Sequence, residues 1–157
     1  MEKIIGYLPG DGIGPEVAEQ GKKALVAVAE KFGHKFTFNE ALVGACAIDA
    51  TGDPYPEATH KVCQESDAIL FGAIGHPKYD NDPSAAVRPE EGLLRMRKNL
   101  GLYCNIRPVK AFDILKDKAP LKNDRIDGAD LVVFRELTSG LYFGSPRGRH
   151  EDGKSAF

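Results

Sequence analysis

Residues 3–33 read KIIGYLPGDGIGPEVAEQGKKALVAVAEKFG, and the order of features in this stretch decides the fold. Lys3 to Leu8 is short and apolar, as a buried strand is. It runs directly into three glycines, Gly10, Gly12 and Gly14, and then into Pro15, which suits the first position of a helix. Val17, Ala18, Gly21, Ala24, Leu25, Val28, Ala29 and Phe32 then recur at three- and four-residue spacing until Gly33 stops the pattern. The unit is strand, glycine loop, helix. Further along, Lys35 to Asn39 alternates around Phe36 and Phe38 as a second strand, and after a turn-rich segment Pro56 opens a second helix carrying Val62 and Cys63. Ala68 to Ala73 reads as a third buried strand. This order predicts an α/β fold, a parallel sheet with helices on its faces and a site beyond the carboxyl ends of the strands.

A long loop from Ile74 to Pro89 leads to a helix from about Glu90 to Leu100, then to a strand at YCNIRP, a charged polar stretch and a strand at ADLVVFRE. Gly140 to Phe157 reads as an extended arm or hairpin. The composition, 42% apolar and 28% charged with a net charge of −2, is that of a soluble globular protein with no basic run for nucleic acid or an anionic membrane. No apolar run approaches the length needed to cross a bilayer, and the amino end lacks the basic and apolar regions of a secretory signal, so the expected compartment is the cytoplasm. Cys46, Cys63 and Cys104 form no CxxC pair and are read as reduced. His34, His60, His76 and His150 are scattered, and none stands at metal-ligand spacing to another.

The G-x-G-x-G spacing of the loop departs from the dinucleotide fingerprint G-x-G-x-x-G, and no acidic residue stands at the end of the second strand at the expected distance. The loop is therefore read either as a tight structural turn or as a ligand-approach loop, with a Rossmann site unsupported. In the segment RPEEGLLRMRKNL, helical spacing puts Glu90, Leu93, Leu94 and Arg97 on one face. An ordinary amphipathic helix accounts for that face by itself. Arg107 closes the strand YCNIRP and Arg135 closes the strand ADLVVFRE, which adds two guanidinium groups at expected strand ends. Three arginines converging in this way suit a small dicarboxylate, because arginine pairs with carboxylates in bidentate fashion. Tyr142 follows Arg135 closely enough to line the same crevice as a proton donor, although packing is the more ordinary use of such a tyrosine.

The strings LPGDGIGPEV, AIDATGDPYPE, GAIGHPKYD, VRPEEGLLRMRKNLGLYCNIRPV and VFRELTSGLYFGSPRG, in this order, resemble the β-decarboxylating dehydrogenases over nearly the whole chain. The resemblance implies NAD-dependent oxidation and decarboxylation of 3-isopropylmalate in leucine biosynthesis. It implies that Arg97, Arg107 and Arg135 clamp the substrate carboxylates and that Leu93 and Leu94 receive the isopropyl group. It also implies that Ile13, Pro77 and Glu90 meet the cofactor, and that Tyr142 protonates the carbon left after CO2 departs. Mg²⁺ or Mn²⁺ is implied as the Lewis acid, and a homodimer as the assembly.

The family's enzymes are more than twice as long as these 157 residues. The expectation is an amino-terminal piece: residues 1–102 as the incomplete first domain that binds NAD and substrate, and residues 103–157 as the start of a second domain with its arm. The family's lysine base and metal aspartates are expected beyond Phe157, so the metal ligands lie outside the chain and the isolated piece is expected to be inactive and poorly soluble. Isocitrate-type substrates are disfavoured, since an unpaired carboxylate against Leu93 and Leu94 costs several kcal/mol whereas an isopropyl group gains about 2 kcal/mol. The alternatives are a related enzyme for another 2-hydroxy dicarboxylate, or a non-catalytic fragment that binds a second subunit through the arm.

Overall fold

A computed structural model of the chain describes residues 1–80, 86–140, 143 and 146. They fall into two compact units, Met1–Leu100 and a second beginning at Gly101. In the first, β1 (Glu2–Gly10), β2 (Lys35–Glu40) and β3 (Ala68–Ala73) form a parallel sheet in the order β2-β1-β3. Helix α1 (Gly14–Phe32) connects β1 to β2, and α2 (Ala45–Thr51) and α3 (Glu57–Glu65) lead from β2 back to β3. The helix predicted from Pro15 thus forms with that proline in its first turn, and Gly33 ends it in the left-handed conformation at φ 66°.

Successive residues of a strand face opposite sides of the sheet, and the neighbours of β1 identify both sides. Tyr7 faces α1, whose Lys22 Nζ lies 4.8 Å from the Tyr7 ring centre and 5.4 Å from that of Phe38. Leu8 faces the other way, into a cluster with Val43, Tyr55, Cys63 and Met96, the last contributed by α5 (Pro89–Asn99). The same alternation holds in β3, where Leu70 meets Gly21 of α1 while Ile69 and Phe71 pack against the Leu8 cluster. The sheet is therefore covered on both faces, as the α/β reading expects. Leu8 and Val43 are fully buried, and each such side chain contributes about 1.5–3 kcal/mol to stability.

The glycine loop is first of all a packing device. A Cβ on Gly14 would lie 2.3 Å from the carbonyl oxygen of Pro9, and one on Gly72 would lie 2.2 Å from the same atom. The backbones of β1, β3 and the α1 entry touch there, and only glycine permits that approach. One detail differs from the sequence reading: β2 runs on to Glu40, so an acidic residue does end the second strand. The glycine spacing still departs from the dinucleotide fingerprint.

The turn-rich segment after β2 contains α2, and the long loop after β3 contains one further helical turn, α4 (Pro77–Asp80). In the second unit, β4 (Cys104–Lys110) and β5 (Asp130–Glu136) form an antiparallel ribbon, with a 3-10 helix (Asp113–Lys118) and α6 (Asn123–Ile126) between them. Here a correction is needed. Pro108 does not end the first of these strands, so Arg107 lies mid-strand, opposite Val133, rather than at a strand end. In an antiparallel pair alternate residues turn their N–H away from the partner, so a strand with one free edge accommodates proline. The rule that placed Arg107 and Arg135 at a crevice belongs to parallel sheets and does not apply to this ribbon.

Both faces of the ribbon carry exposed apolar side chains, with Ile106 60% and Phe134 67% accessible on one face and Val109 48% and Leu131 49% on the other. A ribbon of this kind is a pairing surface for other chains. The 157 residues expressed alone are expected to self-associate, which light scattering on the purified chain measures; a monodisperse monomer with a sharp cooperative melt contradicts it.

Candidate active site

The carboxyl end of the first sheet is organised by one buried side chain. Asp11, 5% exposed, follows β1 directly, and its Oδ2 accepts the N–H of Ala45 at 2.6 Å and of Gly75 at 3.3 Å while Oδ1 accepts that of Cys46 at 2.9 Å. These amides begin α2 and the loop after β3. The carboxylate therefore caps the amino end of α2 from a position 34 residues away in sequence and ties the β3 loop to the same point. Gly44 is required beside it, with φ 84° and room for only 2.2 Å between an added Cβ and Asp11 Oδ2.

Three of the predicted cofactor residues cluster at this edge. Ile13 is 59% exposed at the cap of α1. Pro77 is exposed at the start of α4. The Glu90 carboxyl group sits beside the loop between β3 and α4, its Oε1 3.5 Å from where a Cβ on Gly75 would be, and the Gly75 carbonyl in turn lies 3.3 Å from where one on Gly12 would be. An apolar side chain, a carboxylate acceptor and glycine backbone thus share one rim.

Helix α5 presents the predicted substrate face. Pro89, Gly92 and Met96 are buried on its core side, and Leu93 packs against the Leu8 cluster, so this leucine is shared with the core. Leu94 and Arg97 are half-buried on the flank next to it, and Glu90, one turn earlier, is exposed. The helix is held in place from the Asp53–Tyr55 turn: Arg95 Nη1 donates to Asp53 Oδ1 at 2.6 Å and its Nη2 to the Tyr55 carbonyl at 3.0 Å, while Gly92 allows α5 to close onto Pro54. Arg95 and Asp53 were not among the residues singled out from sequence. Tyr55 is itself fully buried and hydrogen-bonded to His60 Nδ1 at 3.0 Å, and burial, then Cys63, pushes its hydroxyl pKa far up.

Arg107 and Arg135 belong to the second unit, where the ribbon brings them to one face. Asn105 pairs directly with Arg135, and Arg107 is two residues further on, so the two arginines are diagonal cross-strand neighbours. Arg107 Nε donates to Asn105 Oδ1 at 2.6 Å, which orients its guanidinium. The turn after Arg135 is fastened by Glu136, whose carboxylate accepts the hydroxyl and N–H of Thr138 and the hydroxyl of Ser139 at 2.8 Å. The Thr138 and Ser139 side-chain contacts, followed by the Thr138 backbone, lower the Glu136 pKa to about 2. Tyr142 and most of the predicted arm lie outside the described residues.

Among the described residues, no three of the His, Cys, Asp and Glu side chains come together as a metal cage, and Cys46, Cys63 and Cys104 are free thiols. No helix among them is long and apolar enough to cross a membrane. An open apolar cleft of about 250 Å³ in the second unit, lined by Val109, Phe112, Leu115 and Ile126 among others, contains none of the candidate site residues.

Residues 4–157 match the model of the isocitrate/isopropylmalate dehydrogenase family. A 3-isopropylmalate dehydrogenase of Bacteroides fragilis (strain YCH46) is 53% identical over 157 residues, 100% of this chain and 44% of the relative. Among solved structures, a β-decarboxylating dehydrogenase from Thermococcus kodakarensis in its apo form matches 98% of this chain and 39% of its own, with a TM-score of 0.64 at 30% identity. An isocitrate dehydrogenase from Methylococcus capsulatus matches 98% of this chain and 41% of its own, with a TM-score of 0.72 at 26% identity. The chain thus spans less than half the length of these relatives.

Two expectations follow from this geometry. Asp11→Ala leaves buried amides without an acceptor and removes the cap of α2, and is expected to cost about 2–4 kcal/mol in urea unfolding followed by circular dichroism. A loss of less than about 0.5 kcal/mol, the range of ordinary surface substitutions, contradicts the capping role. The Glu136 turn carries a pH sign. Because its pKa in the folded chain lies below the ordinary 4.5, the turn is at full strength above pH 4.5 and is lost as pH falls through about 2. The Thr138 and Ser139 amide resonances should titrate with a midpoint near 2 and lose that transition in Glu136→Gln.

Proposed function

The chain belongs to the isocitrate/isopropylmalate dehydrogenase family, and from that premise we propose that it forms part of an enzyme that oxidises 3-isopropylmalate with NAD and decarboxylates the product, a step of leucine biosynthesis. Because the chain spans 44% of the Bacteroides fragilis relative, the activity is proposed for the whole protein, as a cytoplasmic homodimer. The 157 residues alone are proposed to be inactive, since the resemblance puts the lysine base and the metal aspartates outside them.

The observation that carries the reading is the diagonal cross-strand placement of Arg107 and Arg135 on one face of the ribbon. Two guanidinium groups on one ribbon face, one of them oriented by Asn105, suit a carboxylate that accepts from both. Arg97, in the first unit, is the third proposed clamp residue. Leu94, next to Arg97 on the α5 flank and half-buried, offers apolar surface for a branched alkyl group, with Leu93 behind it joining that surface to the core. A third carboxylate on the substrate would lie against these leucines, with the Glu90 carboxylate one helical turn away.

The cofactor rim of the first unit fits a nicotinamide nucleotide. Ile13 supplies an apolar contact for a ring, the Glu90 carboxylate can accept a hydrogen bond from a carboxamide or ribose hydroxyl, and glycine backbone at Gly12 and Gly75 permits close approach. When bound, NAD supplies the hydride acceptor. The proposed role of the arginines is to pair with the carboxylates of the hydroxy acid and keep them neutralised. Once C2 is a ketone, the β-carboxylate can leave as CO2, and the enol that forms is protonated at carbon, the role proposed for Tyr142. Mg²⁺ or Mn²⁺ is the proposed Lewis acid, and among the described residues no cluster of ligands would hold it.

In the full-length enzyme, alanine at Arg97, Arg107 or Arg135 should lower kcat/KM for 3-isopropylmalate by about 2–5 kcal/mol each, because a desolvated carboxylate loses its partner. Steady-state NADH formation measures this. Near-normal kcat/KM in all three variants would rule out the clamp.

A further inference from the structure

The segment after β3 crosses the carboxyl edge of the first sheet as a strap fastened at three points. At its start the Gly75 N–H is held by Asp11. At its far end, the Tyr79 carbonyl accepts Arg88 Nη1 at 3.2 Å, just ahead of α5. Between them a single oxygen of α2, Asp49 Oδ1, accepts both Lys78 Nζ at 2.5 Å and the Tyr79 hydroxyl at 2.7 Å. Helix α4 is one turn long and cannot hold its own shape, because the first turn of a helix costs more than it returns. External contacts must hold it, and Asp49 supplies two of them from a helix already anchored by Asp11.

We propose that Asp49 is a positioning residue: through Lys78 and Tyr79 it latches the α4 strap down and so sets the affinity of the rim for NAD by fixing Pro77. The inference rests on the reading of the rim given under Proposed function and goes beyond it by assigning cofactor affinity to residues that do not touch the cofactor. The Asp49–Lys78 pair is 53% and 58% exposed, so it adds little to global stability. Its effect is local. A strap free to lift would occupy its binding-competent position only part of the time, and apparent affinity falls by that fraction.

The test is initial-rate kinetics on the full-length enzyme with Asp49→Asn, Lys78→Met and the exchanged pair Asp49→Lys with Lys78→Asp. If the competent fraction drops to about a tenth, KM for NAD should rise about tenfold in the single variants, while kcat, KM for 3-isopropylmalate and Tm stay within about twofold or about 2 °C of wild type. The exchanged pair restores the ion pair without the tyrosine contact and should recover part of the NAD affinity, an outcome that a purely structural role does not produce. An unchanged KM for NAD in both single variants overturns the latch, as does a joint rise of both KM values with a fall in Tm. If the wild type itself gives no NAD-dependent oxidation, the functional reading fails before any variant is made, and the latch's role in cofactor binding fails with it.

Discussion

The buried carboxylate of Asp11 is the constraint on which the rest of the first unit depends. It stands at the point where β1 ends, and it is the acceptor for the first amides of α2 and for the loop after β3. A carboxylate that deep in a fold is costly unless its oxygens are taken, and here three backbone donors take them. Its own backbone closes the arrangement, the N–H donating to Ala73 and the carbonyl accepting from Gly14. The sheet edge, the entry to α1, the start of α2 and the strap are thereby referred to one residue, and around it a Cβ on Gly10, Gly14 or Gly72 would collide with backbone and one on Gly44 with Asp11 itself.

This explains which parts of the chain were legible in sequence. Strands with short apolar runs and helices that carry their own signals, such as α1 with Pro15 and Gly33, were readable because the information is local. Helix α2 was not, because its cap is Asp11, far upstream, and nothing near Gly44 announces a helix start. The ribbon of the second unit is legible as two strands, but not its antiparallel pairing or the continuation of its first strand past Pro108 to Lys110. Of the candidate site, Glu90, Leu93, Leu94 and Arg97 could be grouped from helical spacing alone. The cross-strand relation of Arg107 to Arg135 needed the register, and Arg95, which fixes α5 to the Asp53–Tyr55 turn, looked like an ordinary surface charge.

The two units carry different parts of the proposed chemistry. The first has a covered sheet, a packed core and a rim at which the Gly75 N–H is held by the buried Asp11. The second offers two arginines on a ribbon whose apolar side chains face solvent on both sides. Arginine on a strand is held more rigidly at its base than on a loop, and the Asn105 contact adds a second restraint. Recognition of a carboxylate by such a pair is a matter of geometry as much as charge, which is why lysine is a poor replacement at such positions.

In the whole protein, these elements are proposed to serve oxidation of a 2-hydroxy dicarboxylate whose third substituent is apolar. Comparing kcat/KM for 3-isopropylmalate and isocitrate, by NADH formation in the full-length enzyme with NAD and Mg²⁺, tests it most directly. The apolar side chains of Leu93 and Leu94 should favour isopropylmalate by about a hundredfold or more, since a carboxylate desolvated against them costs several kcal/mol. Equal or better turnover of isocitrate, or no oxidation of isopropylmalate, would contradict the account.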